Sequence, residues 1–279
     1  MKYWNSGKQR LLILTGLAFL SGGSLAETAL YQTDHKLAAN YQLVAEEPGE
    51  SYMRRGHALR HANNWRGALQ EYQAAHDVSP NLHEALFWQA EALLKLNNIA
   101  AAHEHLQRFL QKVPGSAKGW MLMAAVCKAQ KDYSAGVYAL EQTIRLDDNA
   151  PLKAFLNRAY LQVKAGEKVN RIFFGLDQAL IRFPNNVAVL NRAIALAGDH
   201  QAWARADFYW QQVPAEVQQQ ANWLLRRAQM SAARGDERNA EEYAKESLSA
   251  WQTLPKTKQK SAAMRELKGR IDSVLVAQE

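Results

Sequence analysis

Between residues 49 and 254, apolar positions recur at steps of three and four, the spacing that gathers side chains on one face of a helix. Three such faces open on Tyr52, Leu86 and Trp120; the second continues through Ala90 and Leu93, the third through Ala124 and Cys127. Short polar positions separate the helical runs at Asn64, Asn98 and Asp132, and prolines close them at Pro80 and Pro114. An Asn or Asp side chain can accept the free N–H groups that open a helix, and proline falls where a helix must stop. The pattern therefore predicts helix, tight turn, helix and proline-marked turn, repeated along the chain.

The repeat has a fixed length. Pro80 and Pro114 stand 34 residues apart, as do Tyr52, Leu86 and Trp120, then Trp65, Ile99 and Tyr133, then Tyr72, Leu106 and Leu140, and Asn64, Asn98 and Asp132. Ala68, Ala102 and Gly136 keep the same step and are small where the second helix must approach the first. Such self-similarity is the mark of stacked units, each touching only its neighbours. Downstream the pattern weakens. A fourth unit carries Phe155, Ala159, Leu176, Ala179 and Pro184, with one extra residue in its middle. A fifth carries Leu190, Ala193, Trp203, Ala206, Trp210 and Pro214; the 30 residues from Pro184 to Pro214 predict a shortened first helix there. A sixth carries Leu224, Ala228, Gly235, Ala240 and Leu248. The expected units lie near 49–82, 83–116, 117–150, 152–186, 187–216 and 221–254. Residues 255–279 are expected to cap the stack, through an amphipathic helix over Lys258 to Ala277 with Leu267, Ile271, Val274 and Leu275 on one side.

These units resemble the tetratricopeptide repeat. Trp120, Met123, Ala124 and Cys127 occupy its W-x2-L-G-x2-Y spacing, Tyr52, Gly56 and Leu59 do so less fully, and Ala68, Tyr72, Ala75 and Pro80 fill the second half of the first unit. The resemblance implies an all-α, right-handed α-solenoid of about six helix pairs whose first helices line a concave groove. Carried onto this chain, the family's groove positions are Met53, His57, Arg60 and His61 in the first unit, Glu84, Phe87, Glu91, Leu94 and Lys95 in the second, and Lys118, Met121, Ala125, Lys128 and Ala129 in the third. Met53, Phe87 and Met121 are then expected to form an apolar stripe flanked by Arg60, Lys95 and Lys128. Such a surface suits an extended peptide or partner helix of some acidic character, and methionine can repack against several partners. The stripe could equally pack against the chain's own leader or a second copy.

Composition narrows the functional classes. Apolar residues make up 48% and charged residues 22%, which excludes disordered and collagen-like chains. Residues 1–26 contain Lys2, Lys8 and Arg10 but no acid, then run apolar from Leu11 to Leu20 and end in small residues to Ala26. This reads as a secretory signal peptide. Cleavage after Ala26 removes three of the seven formal positive charges and leaves +4. The alternative is an uncleaved anchor in the inner membrane, but ten apolar residues fall short of the roughly 20 that span a bilayer. Residues 27–48 form a leader or one short helix. A single cysteine, Cys127, allows no internal disulfide, which favours a bacterial periplasm; the mildly basic +4 balance and that compartment lead us to expect no nucleic-acid partner.

No catalytic constellation emerges. His57 and His61 are four apart, a spacing that can share a metal, but no third ligand stands with them, and His103 and His105 point to different sides. No metal and no cofactor are expected, and Cys127 sits on a packed face. Of seven tryptophans beyond the leader, Trp88, Trp223 and Trp251 fall outside the core columns and could stack on sugars. Two readings follow. The first is a non-enzymatic adaptor of the cell envelope holding a protein partner during assembly or export of a complex. The second is a carbohydrate- or peptidoglycan-binding accessory to an envelope enzyme.

Overall fold

The computed structural model describes residues 48–277; the signal peptide and leader expected over residues 1–47 lie outside them. Among the described residues there are fifteen helices and no strand. They form consecutive pairs: α1 (Pro48–His61) with α2 (Trp65–Val78), α3 (Glu84–Lys95) with α4 (Ile99–Lys112), and α5 (Ala117–Gln130) with α6 (Tyr133–Leu146). Then come α7 (Leu152–Lys164) with α8 (Val169–Arg182), and α9 (Val187–Asp199) with α10 (Trp203–Trp210). A short α11 (Ala215–Gln218) leads to α12 (Ala221–Ala233) and α13 (Glu237–Gln252), and α14 (Lys256–Gln259) leads to α15 (Ala262–Val276). Packing is between neighbours, so the molecule is an α-solenoid.

The turn inside each pair is built the same way six times. Asn63, Asn97, Lys131, Gly166, Gln201 and Gly235 all adopt left-handed backbone, with φ between 54° and 77°. In each turn the next residue donates its N–H to the carbonyl five positions back, at 2.8–3.0 Å: Asn64 to Leu59, Asn98 to Leu93, Asp132 to Cys127, Glu167 to Gln162, Ala202 to Ala197 and Asp236 to Ser231. This closes the first helix by satisfying a terminal carbonyl. The second helix is then opened by the side chains of Asn64, Asn98, Asp132 and Asp236, which accept from the N–H groups of Gly67, Ala101, Ala135 and Asn239. Lys168 is the extra residue of the fourth unit and provides no such cap.

Across each turn the helices meet on small side chains. Ala68 and Ala102 are fully buried and Gly136 is buried. Around them run continuous apolar clusters, one of them joining Leu86, Leu106, Leu140 and Leu161, the next joining Phe155, Leu176, Leu190 and Tyr209.

Two expectations are corrected. The fifth unit is short in its second helix: α9 keeps 13 residues and α10 has 8. The spacing of prolines sets the length of the whole unit and not which helix gives way. Here α10 stops at Trp210, whose indole N–H donates to Gln218 Oε1 at 3.1 Å, tying the helix end to α11. At the other end, the final helix begins at Ala262 rather than Lys258, because Ser261 caps it by accepting the Met264 N–H. Leu267 and Ile271 of α15 bury against Ala221 and Leu225 of α12, covering the end of the stack.

Candidate functional site

The first helices of successive units bound a cavity of about 510 Å³. Phe87 and Met121 are half-buried in it, and Phe109 supports Phe87 from α4 with ring centroids 5.6 Å apart. Trp88 stands edge-on to Phe87 at 4.8 Å. Leu122 and Ala125 extend this apolar floor along α5. Charge is confined to the rim: Glu84, Lys118 and Lys153 are exposed, while Arg60 and Glu91 pair at 3.4 Å. The Arg60 guanidinium also lies 4.6 Å over the Trp88 ring.

Trp88 is held from behind. His57 Nδ1 lies 2.9 Å from the Tyr72 hydroxyl, and the imidazole meets the Trp88 ring edge-on at 4.8 Å. Burial, followed by the nearby Arg60 charge, pushes the His57 pKa down. Burial raises the Tyr72 phenol to about 12. Both groups are therefore neutral near pH 7, and they can share one proton as a plain hydrogen bond.

Of the groove residues expected from the sequence, the cavity brings together Arg60, Glu84, Phe87, Glu91, Lys118, Met121 and Ala125. Others stand elsewhere. Lys95 reaches over the Trp65 ring at 5.6 Å and Lys128 over Tyr160 at 4.8 Å. Leu94 packs on the apolar core, and His61 and Ala129 are exposed outside the cavity lining. Met53 is the clear correction: it is 6% exposed and packs with Ala68, Tyr72, Ala75 and Ala85. Alanines at 75 and 85 leave room that the flexible methionine fills, so no stripe runs from Met53 through Phe87 to Met121. Phe109, Leu122 and Lys153 were missed. Lys153 comes from the fourth unit, beyond the three whose groove positions the resemblance supplies.

A further correction concerns the tryptophans, whereas Cys127 lies on a packed face as expected. Trp223 is 3% exposed and packs edge-on to Trp210 at 5.8 Å, so it offers no free face. Trp251 is half-buried with its N–H bonded to the Met264 carbonyl at 2.9 Å. Cys127 is buried, and burial raises its thiol to about 11, far from the reactive thiolate range. Among the described residues, no three His, Cys, Asp or Glu side chains gather in a way that could hold a metal ion, and no helix is long and apolar enough to cross a membrane.

A family described as anaphase-promoting complex, cyclosome, subunit 3 matches residues 61–143. No curated protein matches significantly. Among solved structures, pilF of Pseudomonas aeruginosa is 17% identical, with a TM-score of 0.54 over 80% of this chain and 98% of that one. PilW, described as a widely conserved type IV pilus biogenesis factor, is 18% identical, with a TM-score of 0.52 over 80% and 99%. MamA is 16% identical, with a TM-score of 0.51 over 56% and 91%. At these identities the likeness is one of fold. With it stand the motif residues and a turn geometry repeated in all six pairs. The fold is that of a tetratricopeptide-repeat solenoid. In this fold the first-helix cavity runs from α1 through α3 and α5 to α7.

Proposed function

We propose that this chain is a non-enzymatic protein-binding scaffold of the bacterial cell envelope. It holds an extended peptide or a partner helix in the groove between α1, α3, α5 and α7, during assembly or export of an envelope complex. The observation that carries this reading is the groove itself, with Phe87, Met121 and Leu122 as an apolar floor and both signs of charge on its rim. Burying apolar side chains on such a floor supplies affinity, and the rim charges select and orient the partner. The same fold in PilW, described as a type IV pilus biogenesis factor, supports a place in envelope assembly, and the basic, apolar, small-residue order of residues 1–26 supports export to the periplasm.

A sugar-binding accessory is less well supported. One face of Trp88 is already covered by Arg60, and Trp223 is buried, so two of the three tryptophans considered for stacking are occupied.

The test is co-purification from envelope extract with the native chain and with a Met121→Asp, Ala125→Asp double variant. The native chain is expected to retain a stoichiometric protein that the double variant loses while its helical content and melting temperature hold. Equal recovery by both chains, or retention on purified polysaccharide with no protein recovered, overturns the reading.

A further inference from the structure

A second cavity, of about 350 Å³, opens between α6, α7 and α8. Unlike the groove, it is lined mainly from second helices. At its base lies Arg158, only 6% exposed. Its Nη2 donates to the Gly175 carbonyl at 2.8 Å and to Gln178 Oε1 at 3.1 Å, and its Nε is buried without an acceptor. Neither of those acceptors is charged. The two nearby carboxylates are taken: Arg171 binds Glu141 at 2.8 Å and Glu167 at 3.4 Å. Beside Arg158, Gln162 is 2% exposed, gives its Nε2 to Glu167 at 2.9 Å, and leaves Oε1 without a donor. A guanidinium buried in this position, with no carboxylate in ion-pair contact, is costly unless something completes it.

The neighbouring units show that the fold does not require it. One unit earlier, the equivalent cavity of about 330 Å³ presents Met123 and Cys127, which stand 35 residues before Arg158 and Gln162. One unit later, the matching positions are the buried Ala193 and Ala197, and the space receives Tyr209, whose hydroxyl donates to Asp177 at 2.7 Å. Tyr209 corresponds to Gly175, where a Cβ would lie 2.8 Å from Arg158 Nη2. The absence of a side chain at 175 is what admits the guanidinium. Arginine, glutamine and glycine thus replace apolar or self-paired residues together, in this unit.

We propose that this cavity receives one carboxylate, carried on an acidic side chain of a protein partner. Arg145, Arg158 and Arg171 against Glu141 and Glu167 leave a single uncompensated positive charge, which one carboxylate closes. A phosphate would bring a second negative charge towards Glu141 and Glu167. The mouth favours a ligand borne on a polypeptide. Phe174 is 62% exposed there, and Tyr138 (54%) and Phe208 (57%) hold the same helical position in the units on either side. The Phe174 ring supplies apolar surface at the charged cavity, which a free anion would leave unused. The proposal stands on this cavity alone and does not depend on the groove.

The test is NMR titration of the purified chain, following the Arg158 Nε–Hε signal and the backbone amides of α8. The probes are N-acetyl-L-glutamic acid α-amide, its uncharged glutamine counterpart, and inorganic phosphate. The glutamate compound is expected to shift the Arg158 signal saturably, and the glutamine compound to leave it in place. In Arg158→Met, which restores the residue type of the preceding unit, the α8 response to the glutamate compound should weaken by about tenfold or more. Arg158→Gln serves as a second variant, with the fold of both checked by circular dichroism. Absence of saturation, equal shifts from the glutamine compound, a response to phosphate alone, or undiminished binding by folded variants overturns the proposal.

Discussion

Arg60 and Glu91 meet at 3.4 Å across the first helices of two successive units, and Arg60 lies over Trp88 while it does so. The pair closes one rim of the groove and fixes the ring at its edge. Both side chains are about a quarter exposed, so the pair adds little to folding stability, within about 1 kcal/mol. Glu91→Gln is therefore expected to leave the melting temperature nearly unchanged and to alter the salt dependence of partner binding. Calorimetric melting together with binding at low and high salt checks both halves.

Gly56 packs directly on the Tyr72 ring, which is fully buried and held by His57. Gly56→Ala places a methyl group inside that ring's volume, and the ring has no free direction to move. The expected loss is about 1–3 kcal/mol by chemical denaturation. Gly115→Ala is the control, since nothing lies within 4 Å of its added Cβ; its effect should stay within about 0.5 kcal/mol.

Lys131 holds left-handed backbone, at φ 63°, in the turn between α5 and α6. Equivalent turns use Asn63, Asn97, Gly166 and Gly235, which tolerate it better. Lys131→Gly should therefore stabilise by about 0.5–1 kcal/mol, and Lys131→Val should destabilise. Paired melting curves decide the sign.

Acid should weaken the fold. His57, His76 and His105 all have pKa values lowered from 6.5, each by burial first, then by Arg60 for His57 and by Arg108 for the other two. The unfolded chain then binds more protons than the folded one below that value. Their contribution is complete above pH 6.5 and is lost as pH falls through the lowered folded values. Nδ1 of His76 and of His105 is buried without a partner. The melting temperature should fall between about pH 7 and pH 5, and a His76→Gln, His105→Gln double variant should fall less steeply.

Where a residue's type reports its own constraint, the fold could be read from the sequence. Asn64, Asn98 and Asp132 act as caps because short acceptor side chains suit that position, and Ala68 and Ala102 are small because helices meet there. Lys131 and Gln201 hide the same left-handed turn, since neither residue type signals it. Proline spacing measures the unit as a whole, so it cannot tell that α10 rather than α9 is the short helix. Met53 was misplaced because a groove position shared by a family says nothing of Ala75 and Ala85 beneath it. Arg158 had no signal at all: an arginine on a helix reads as surface until Gly175 and Gln162 are seen around it.

The groove is tested most directly by light-activated cross-linking in intact cells, with a photoreactive residue at Met121 or Ala125 and, for comparison, at the exposed Glu246 of α13. One discrete protein adduct from both groove positions and none from position 246 is the predicted result. Adducts of equal yield from all three positions, or none from the groove, contradict it.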